Sequence, residues 1–312
     1  MIAAVCANPC VDKTVTIGSF NYGGMNRIVE TLEDGSGKGV NVALAAIQLG
    51  MEAACVGFMP GARNALILDR LALSRCESEF VPCSGAVRVN TKVLDRSTSV
   101  ITELNESGPA VSRSQVEALV ELAVRWAARS SHIVLTGSLP PGCPKDLYRI
   151  IIEETRRSAP QCRAVLDAEG ERLTLGLEAA PFMVKPNRYE LEMLCGRRLN
   201  TVEEIHAEAL KLVDVGVQIV AVSMGGSGAY ITDGRRAYHA PALDVEVASA
   251  TGAGDSMVAG MLKGLEAQAE LEEVFRLGMA AAASSVTTAG TGLIDPALYV
   301  ELMEKVDIRQ VA

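Results

Sequence analysis

Short runs of apolar residues alternate along this chain with longer segments whose apolar residues recur at helical spacing. The apolar runs at 2–7, 53–57, 132–136, 164–167, 182–184 and 219–223 have the length of buried strands. The predicted helices lie at 39–49, 65–73, 114–128, 145–155, 188–195, 202–215, 254–268, 271–289 and 296–306. This alternation predicts an α/β fold, with a doubly wound, mainly parallel sheet that helices cover on both faces.

Two regions interrupt this alternation of strands and helices. Segments 12–18 with 27–32, and 86–95 with 100–105, alternate β-branched and polar residues with no helix between them. Such pairs predict antiparallel ribbons with one face in water. We interpret them as one small β-sheet that projects as a lid; ordinary edge hairpins are the alternative. The predicted division is a main domain of residues 1–11, 33–85 and 107–312 and a discontinuous lid of residues 12–32 and 86–106.

Composition excludes several classes of partner. The chain of 312 residues carries a formal net charge of -9, and it has no run rich in Lys and Arg. Nucleic acid and anionic membranes are therefore not expected as partners. The sequence starts without a basic leader and has no apolar run long enough to span a bilayer, so we expect a cytoplasmic protein. Its eight cysteines form no CxxC pair, and they predict reduced thiols rather than a metal site.

The segment from Thr251 to Ser256 reads Thr-Gly-Ala-Gly-Asp-Ser and precedes a helix-forming apolar run. Small residues at a helix start let backbone N–H groups approach an anion, which the helix dipole also favours. The carboxylate of Asp255 would repel a phosphate there. Its presence is therefore explained if it takes part in the reaction, for example by accepting a proton from an attacking hydroxyl. A Gly-rich turn with an Asp in the first helical turn is the alternative.

A second Gly-rich segment, Gly35-Ser36-Gly37-Lys38-Gly39, opens the first predicted helix. It is not a Walker A loop, because it lacks the earlier Gly and the Ser or Thr after Lys. Its backbone permits the approach of a small polyol that Lys38, Asn41 and Asp12 could orient by hydrogen bonds. An ordinary Gly-rich helix cap with a solvated Lys is the alternative.

Two further groups of polar residues complete the pattern. Arg88, Asn90 and Lys92 share one face of a predicted lid strand, where they could clamp a sugar phosphate or form an ordinary solvated face. Asn187 and Glu190 have the spacing of a capping box at a helix start. The same amide and carboxylate could instead hold hydrated Mg²⁺, with Lys185 on a nucleotide phosphate.

In this order the motifs resemble those of the PfkB (ribokinase-like) family of carbohydrate kinases, over essentially the whole chain. The resemblance is carried by Asn8-Pro9 with Asp12, Gly37-Lys38-Gly39 with Asn41, Gly137-Ser138-Leu139-Pro140, Lys185-Pro186-Asn187 with Glu190, Ser223-Met224-Gly225-Gly226-Ser227-Gly228 and Gly252-Ala253-Gly254-Asp255. Within the family, Asn8-Pro9 with Asp12, the Gly-Lys-Gly loop and the segment Arg88-Val89-Asn90 look most like the branch of 1-phosphofructokinases and tagatose-6-phosphate kinases.

The resemblance implies transfer of the γ-phosphoryl group of ATP, with Mg²⁺, to a hydroxymethyl oxygen of a sugar phosphate. It makes Asp255 the base and Gly252, Ala253 and Gly254 the anion hole. The implied sugar-phosphate residues are Asp12, Gly37, Lys38, Gly39, Asn41, Ser138, Asn90, Arg88 and Arg27, the last two on the existing phosphate. The implied nucleotide and Mg²⁺ residues are Lys185, Asn187, Glu190, Ser223, Gly225, Gly226, Gly228, Thr251 and Ser285, with adenine near 281–292.

The resemblance favours fructose 1-phosphate as the acceptor, and tagatose 6-phosphate or fructose 6-phosphate are the alternative acceptors. A sugar-phosphate sensor without catalytic activity is a remote alternative function. Carbonyl groups near the adenine segment can also hold a monovalent cation in some relatives. The chain has Ser249-Ala250-Thr251 where the family often has Asp-Thr, which weakens that expectation. Exposed lid ribbons in this family often pair, so a homodimer through the lid is expected.

Overall fold

The computed structural model describes residues 1–288, 290 and 292–311. Within these residues the strands form two sheets. The large sheet consists of β1 (Ile2–Cys6), β4 (Ala53–Ala62), β5 (Glu77–Ala86), β8 (His132–Thr136), β9 (Arg163–Asp167), β10 (Met183–Val184), β11 (Ile219–Ser223), β12 (Ala229–Thr232), β13 (Ala237–Ala240) and β14 (Arg309–Gln310). The small sheet consists of β2 (Cys10–Ile17), β3 (Ile28–Ser36), β6 (Arg88–Asp95) and β7 (Val100–Asn105).

Helices cover both faces of the large sheet. They are α1 (Lys38–Gln48), α2 (Ala65–Leu73), α3 (Arg113–Ala127), α4 (Leu147–Ser158), α5 (Glu171–Leu177), α6 (Arg188–Cys195), α7 (Val202–Asp214), α8 (Ala253–Glu266), α9 (Leu271–Val286) and α10 (Pro296–Lys305). None of the helices described is both long and apolar enough to cross a bilayer. The predicted α/β class is confirmed.

The large sheet runs β14-β13-β12-β11-β10-β9-β8-β1-β4-β5. Neighbouring strands pair in parallel along the part of this order that runs β11-β10-β9-β8-β1-β4-β5. At the other edge, β12, β13 and β14 are added by antiparallel pairing. Successive residues of β1 alternate between two apolar cores: Ile2 and Ala4 face one, and Ala3 and Val5 face the other. All of β1 is buried for that reason, which explains its unbroken apolar run.

The two predicted ribbons do form one small sheet, in the order β3-β2-β6-β7. Within each ribbon the strands are antiparallel, and the ribbons are joined by parallel pairing of β2 with β6. The register of that pairing places Asp12 beside Asn90 and Cys10 beside Arg88. The exact division of the chain into domains stays a prediction.

Some predicted bounds differ from the observed ones. Helix α4 begins at Leu147, because Lys145 and Asp146 lie in a turn that closes with a bond from the Leu147 N–H to the Pro144 carbonyl. The helix predicted at 271–289 ends at Val286, and position 289 lies outside the described residues. Strands β5, β12, β13 and β14 and helix α5 were not predicted.

Candidate active site

The polar loops that follow several strands of the large sheet meet at the carboxyl edge of that sheet. They surround a cavity of about 940 Å³, which the lid strands β2 and β6 cover from one side. The first turns of α1 and α8 also reach this cavity. In an open α/β sheet this edge is where ligands bind.

Most of the predicted site residues line this cavity. They are Asp12, Gly37, Lys38, Asn41, Arg88, Asn90, Ser138, Lys185, Asn187, Glu190, Ser223, Thr251, Gly252, Gly254 and Asp255. The remaining predicted residues lie outside its wall: Gly39, Ala253, Arg27, Gly225, Gly226, Gly228 and Ser285. Arg27 is exposed in the lid ahead of β3, and Gly225–Ser227 forms a 3-10 turn after β11. The roles of all these residues stay predictions.

The start of α8 has the form of an anion site. Gly252 is the N-cap at φ 83, in the left-handed region that favours glycine. Within the described residues, the N–H groups of Gly254 and Asp255 donate to no acceptor, as expected at a helix start. A Cβ placed on Gly254 would lie 3.3 Å from Nζ of Lys185. Because Gly254 has no side chain, there is room for an anion between the free N–H groups of Gly254 and Asp255 and the ammonium group of Lys185.

Asp255 lies in the first turn of α8 with 4% of its surface exposed. Its Oδ2 accepts a hydrogen bond from Nδ2 of Asn41 at 2.9 Å, and the Ser36 hydroxyl donates to Oδ1 of Asn41 at 3.4 Å. Burial raises the pKa of Asp255 to about 6, against the opposing effect of the Lys38 charge. A carboxyl group with this pKa is a carboxylate at neutral pH and close to the strength that suits a general base.

If Asp255 acts as a base, catalysis should decline as the medium becomes more acidic than its pKa. The carboxylate is the active form, so kcat/KM should fall about tenfold for each pH unit below the value of about 6. The measurement is the initial rate with limiting sugar phosphate, between about pH 5 and pH 9. A flat profile down to about pH 5 would contradict this assignment.

Asp167, at the end of β9, is a site residue that the sequence did not reveal. It is 1% exposed, and its carboxylate lies 3.1 Å from Nζ of the buried Lys185 and 3.5 Å from Nζ of Lys38. The Thr136 hydroxyl donates to it at 3.1 Å. Burial raises the pKa of Asp167, but the two ammonium groups outweigh this effect and hold it at about 2. The only available signal was a carboxylate at the end of a buried strand.

The lid supplies a second set of polar groups. Oδ1 of Asp12 accepts a hydrogen bond from Nδ2 of Asn90 at 3.3 Å. The Arg88 guanidinium donates to the carbonyl groups of Asn8 and Glu106 and to the side chain of Asn90. No carboxylate of the described chain lies within ion-pair distance of Arg88. Its charge is therefore available to an anionic ligand.

Comparison with known proteins agrees with this geometry. A model of the pfkB family of carbohydrate kinases matches residues 7–298. The chain belongs to this family. It is therefore a carbohydrate kinase, a phosphotransferase that acts on a sugar hydroxyl, and the predicted family is confirmed.

This pfkB kinase is similar to proteins named 1-phosphofructokinase. That of Bacillus subtilis (strain 168) is 35% identical over 279 residues, which cover 89% of this chain and 90% of the relative. That of Rhodobacter capsulatus is 34% identical over 310 residues, which cover 99% and 97%. The solved structure of phosphofructokinase-2 from Escherichia coli in complex with potassium matches with a TM-score of 0.90 at 27% identity, covering 97% of this chain and 98% of that one.

In this kinase Asn187 and Glu190 form a capping box at the start of α6. The Asn187 side chain accepts from the Glu190 N–H at 2.8 Å, and the Glu190 side chain accepts from the Asn187 N–H at 2.7 Å. The structural alternative for this motif is therefore present. Both side chains nevertheless line the cavity, and burial raises the pKa of Glu190. The capping role and a role in the site are compatible, because Glu190 uses only Oε2 in the cap and keeps Oε1, and Oδ1 of Asn187 can accept a second hydrogen bond, for example from a water.

Proposed function

We propose that this pfkB kinase transfers the γ-phosphoryl group of ATP to the free hydroxymethyl group of fructose 1-phosphate, giving fructose 1,6-bisphosphate and ADP. The observation that carries the reaction type is the buried Asp255 carboxylate beside the free N–H groups at the start of α8. The choice of fructose 1-phosphate rests on the relatives named 1-phosphofructokinase.

The proposed chemistry follows from this arrangement. The sugar hydroxyl oxygen forms a bond to the γ-phosphorus, and the bond between that phosphorus and the bridging oxygen of ADP breaks. The hydroxyl proton passes to the Asp255 carboxylate. The free N–H groups of Gly254 and Asp255 stabilise charge on the transferred group, and Lys185 beside Gly254 adds a positive charge.

The residues present fit Mg²⁺ bound together with ATP. Among the described residues no group of three or more His, Cys, Asp or Glu side chains could hold a metal by itself. Mg²⁺ commonly relies on one or two carboxylates, on waters and on substrate phosphates. Glu190 and Asn187 would hold it through water, and Mg²⁺ would neutralise charge on the nucleotide phosphates. The nucleotide would extend toward Ser223 and the turn that follows β11.

Arg88 is the proposed clamp for the phosphate that the sugar already carries. Arg88→Ala should raise KM for fructose 1-phosphate about 10-fold to 100-fold, because charge-assisted hydrogen bonds of about 1.5–3 kcal/mol are lost. KM for ATP should change little. Steady-state kinetics with each substrate varied checks this. Arg96→Ala is the control, because Arg96 lies on the lid in an exposed ion pair with Glu30. Unchanged KM for the sugar phosphate would place the clamp elsewhere.

The acceptor is tested by coupled ADP release with fructose 1-phosphate, fructose 6-phosphate, tagatose 6-phosphate and fructose. We expect the highest kcat/KM with fructose 1-phosphate. A preference for a 6-phosphate would contradict the acceptor but leave a sugar-phosphate kinase, whereas no turnover would favour a sugar-phosphate sensor. Each assay is run with and without K⁺, because the Escherichia coli structure contains potassium.

The proposed assembly is a homodimer through the lid. Six large apolar side chains on the lid strands β3 and β7 are exposed: Ile28, Val29, Leu32, Val100, Ile101 and Leu104. A monomer rarely leaves so many apolar groups together in water. Ile101→Lys combined with Leu104→Lys should therefore halve the mass measured by light scattering, whereas Val300→Lys, at an exposed position of α10, should not. A monomeric wild-type protein would contradict the proposal.

A further inference from the structure

Lys92 on β6 connects the lid to the loop that precedes α8. Its Nζ donates a hydrogen bond of 2.6 Å to the hydroxyl of Thr251, and it lies 3.9 Å from Oδ2 of Asp12. The Lys92 side chain is 13% exposed, and it lines the cavity. One ammonium group therefore contacts both the lid carboxylate that would face the acceptor and the loop that would face the transferred phosphoryl group.

The contact with Lys92 can fix the position of the anion site, because Thr251 lies at the start of that site. It directly precedes Gly252, the N-cap of α8, whose φ of 83 turns the backbone into the helix. The Thr251 N–H donates to the Ser249 hydroxyl at 3.2 Å, and the Ser249 N–H donates to the carbonyl of Val286 on α9 at 3.1 Å. The backbone of this loop is thus held from the α9 side, and the Thr251 hydroxyl is held from the lid side.

We propose that Lys92 is a positioning residue, which holds Asp12 and the Thr251 loop in fixed positions relative to each other. The anion hole is then complete only when β6 lies over the site. This inference rests on the proposed function and deepens it. Lys92 then acts in the transfer step more than in nucleotide binding. A site in which this contact is lost admits water in place of the acceptor, and ATP is then hydrolysed to ADP and inorganic phosphate.

The kinetic test is a double-mutant cycle with Lys92→Met and Thr251→Val. Each variant should lower kcat about tenfold, since each removes the same charge-assisted hydrogen bond, and the double variant should lose little more than either alone. KM for ATP should change less than about twofold. ADP formed per sugar bisphosphate should rise above the value for the wild-type protein in Lys92→Met. Thr251→Ser, which keeps the hydroxyl, should restore kcat.

Lys13→Met is the matched control. Lys13 is also a lid lysine, but it pairs with Glu33 at 2.8 Å and does not line the cavity. This variant should keep the kcat of the wild-type protein. Additive effects of Lys92→Met and Thr251→Val would overturn the proposal, because they would mean that Lys92 acts on a substrate directly. A rise in KM for the sugar phosphate with unchanged kcat would overturn it as well.

A second measurement does not depend on turnover. Amide hydrogen exchange at Thr251 and Ala253, whose N–H groups donate hydrogen bonds within this loop, should in the ligand-free protein be about tenfold faster in Lys92→Met than in the wild-type protein and unchanged in Lys13→Met. Equal exchange in all three proteins would overturn the positioning role even if fructose 1-phosphate proved to be the substrate. Faster exchange in Lys92→Met together with no sugar turnover would instead leave this contact established and contradict the proposed function.

Discussion

Replacing Asp255 with Asn should lower kcat for phosphorylation of the sugar phosphate about 10³-fold, because the group that accepts the hydroxyl proton is removed. The fold should survive. Burial raises the pKa of Asp255 to about 6, so its contribution to stability is present in acid and is lost as the pH rises through that value. At neutral pH the amide replaces an unfavourable buried carboxylate, and the free energy of unfolding should not decrease.

The control for Asp255→Asn is Asp307→Asn, which changes an exposed carboxylate paired with Arg309 near the end of the chain. That variant should keep the kcat of the wild-type protein. The measurements are steady-state kinetics and nucleotide binding, since Asp255→Asn should still bind ATP. A kcat within about tenfold of the wild-type value would mean that Asp255 is not the base.

Asp167→Asn should lower the free energy of unfolding by about 3–5 kcal/mol. The substitution keeps the volume of the side chain but leaves the Lys185 ammonium, 3% exposed, without the carboxylate 3.1 Å away. Urea denaturation measures the loss. Asp307→Asn again serves as the control and should cost less than about 1 kcal/mol, because its ion pair is exposed.

A second variant separates the buried charge from other effects at Asp167. Lys185→Met in the background of Asp167→Asn removes the uncompensated ammonium and should recover part of the lost stability. A loss below about 1 kcal/mol in Asp167→Asn alone would contradict the account of this pair. So would further destabilisation in the double variant.

The central strands of the fold were predictable because both of their faces are buried. Their apolar runs are unbroken for that reason, as in β1 and β8. Strand β5 escaped prediction because it lies at the sheet edge, and its half-exposed sequence contains Pro82 and Gly85. Strands β12 and β13 have only four residues each, too few to show a period.

The site was predictable one motif at a time, because anion-binding loops occur at strand ends and helix starts. The pairings between motifs were not. Asp167 lies 129 positions from Lys38 in sequence, and Lys92 lies 159 positions from Thr251, yet both pairs are in contact. Such contacts arise from the order of strands in the sheet and from the position of the lid over its edge. Neither is expressed in the composition of a local segment.

The central claim is that the start of α8, with Asp255 as base, transfers a phosphoryl group to the free hydroxymethyl group of fructose 1-phosphate. Phosphorus NMR of a reaction with ATP, Mg²⁺ and fructose 1-phosphate tests it most directly, because it identifies the product and the position phosphorylated. The account predicts fructose 1,6-bisphosphate and ADP in equal amounts from the wild-type protein, and about 10³-fold slower formation of both with Asp255→Asn. Inorganic phosphate and ADP without a sugar bisphosphate, or equal rates for the two proteins, would contradict it.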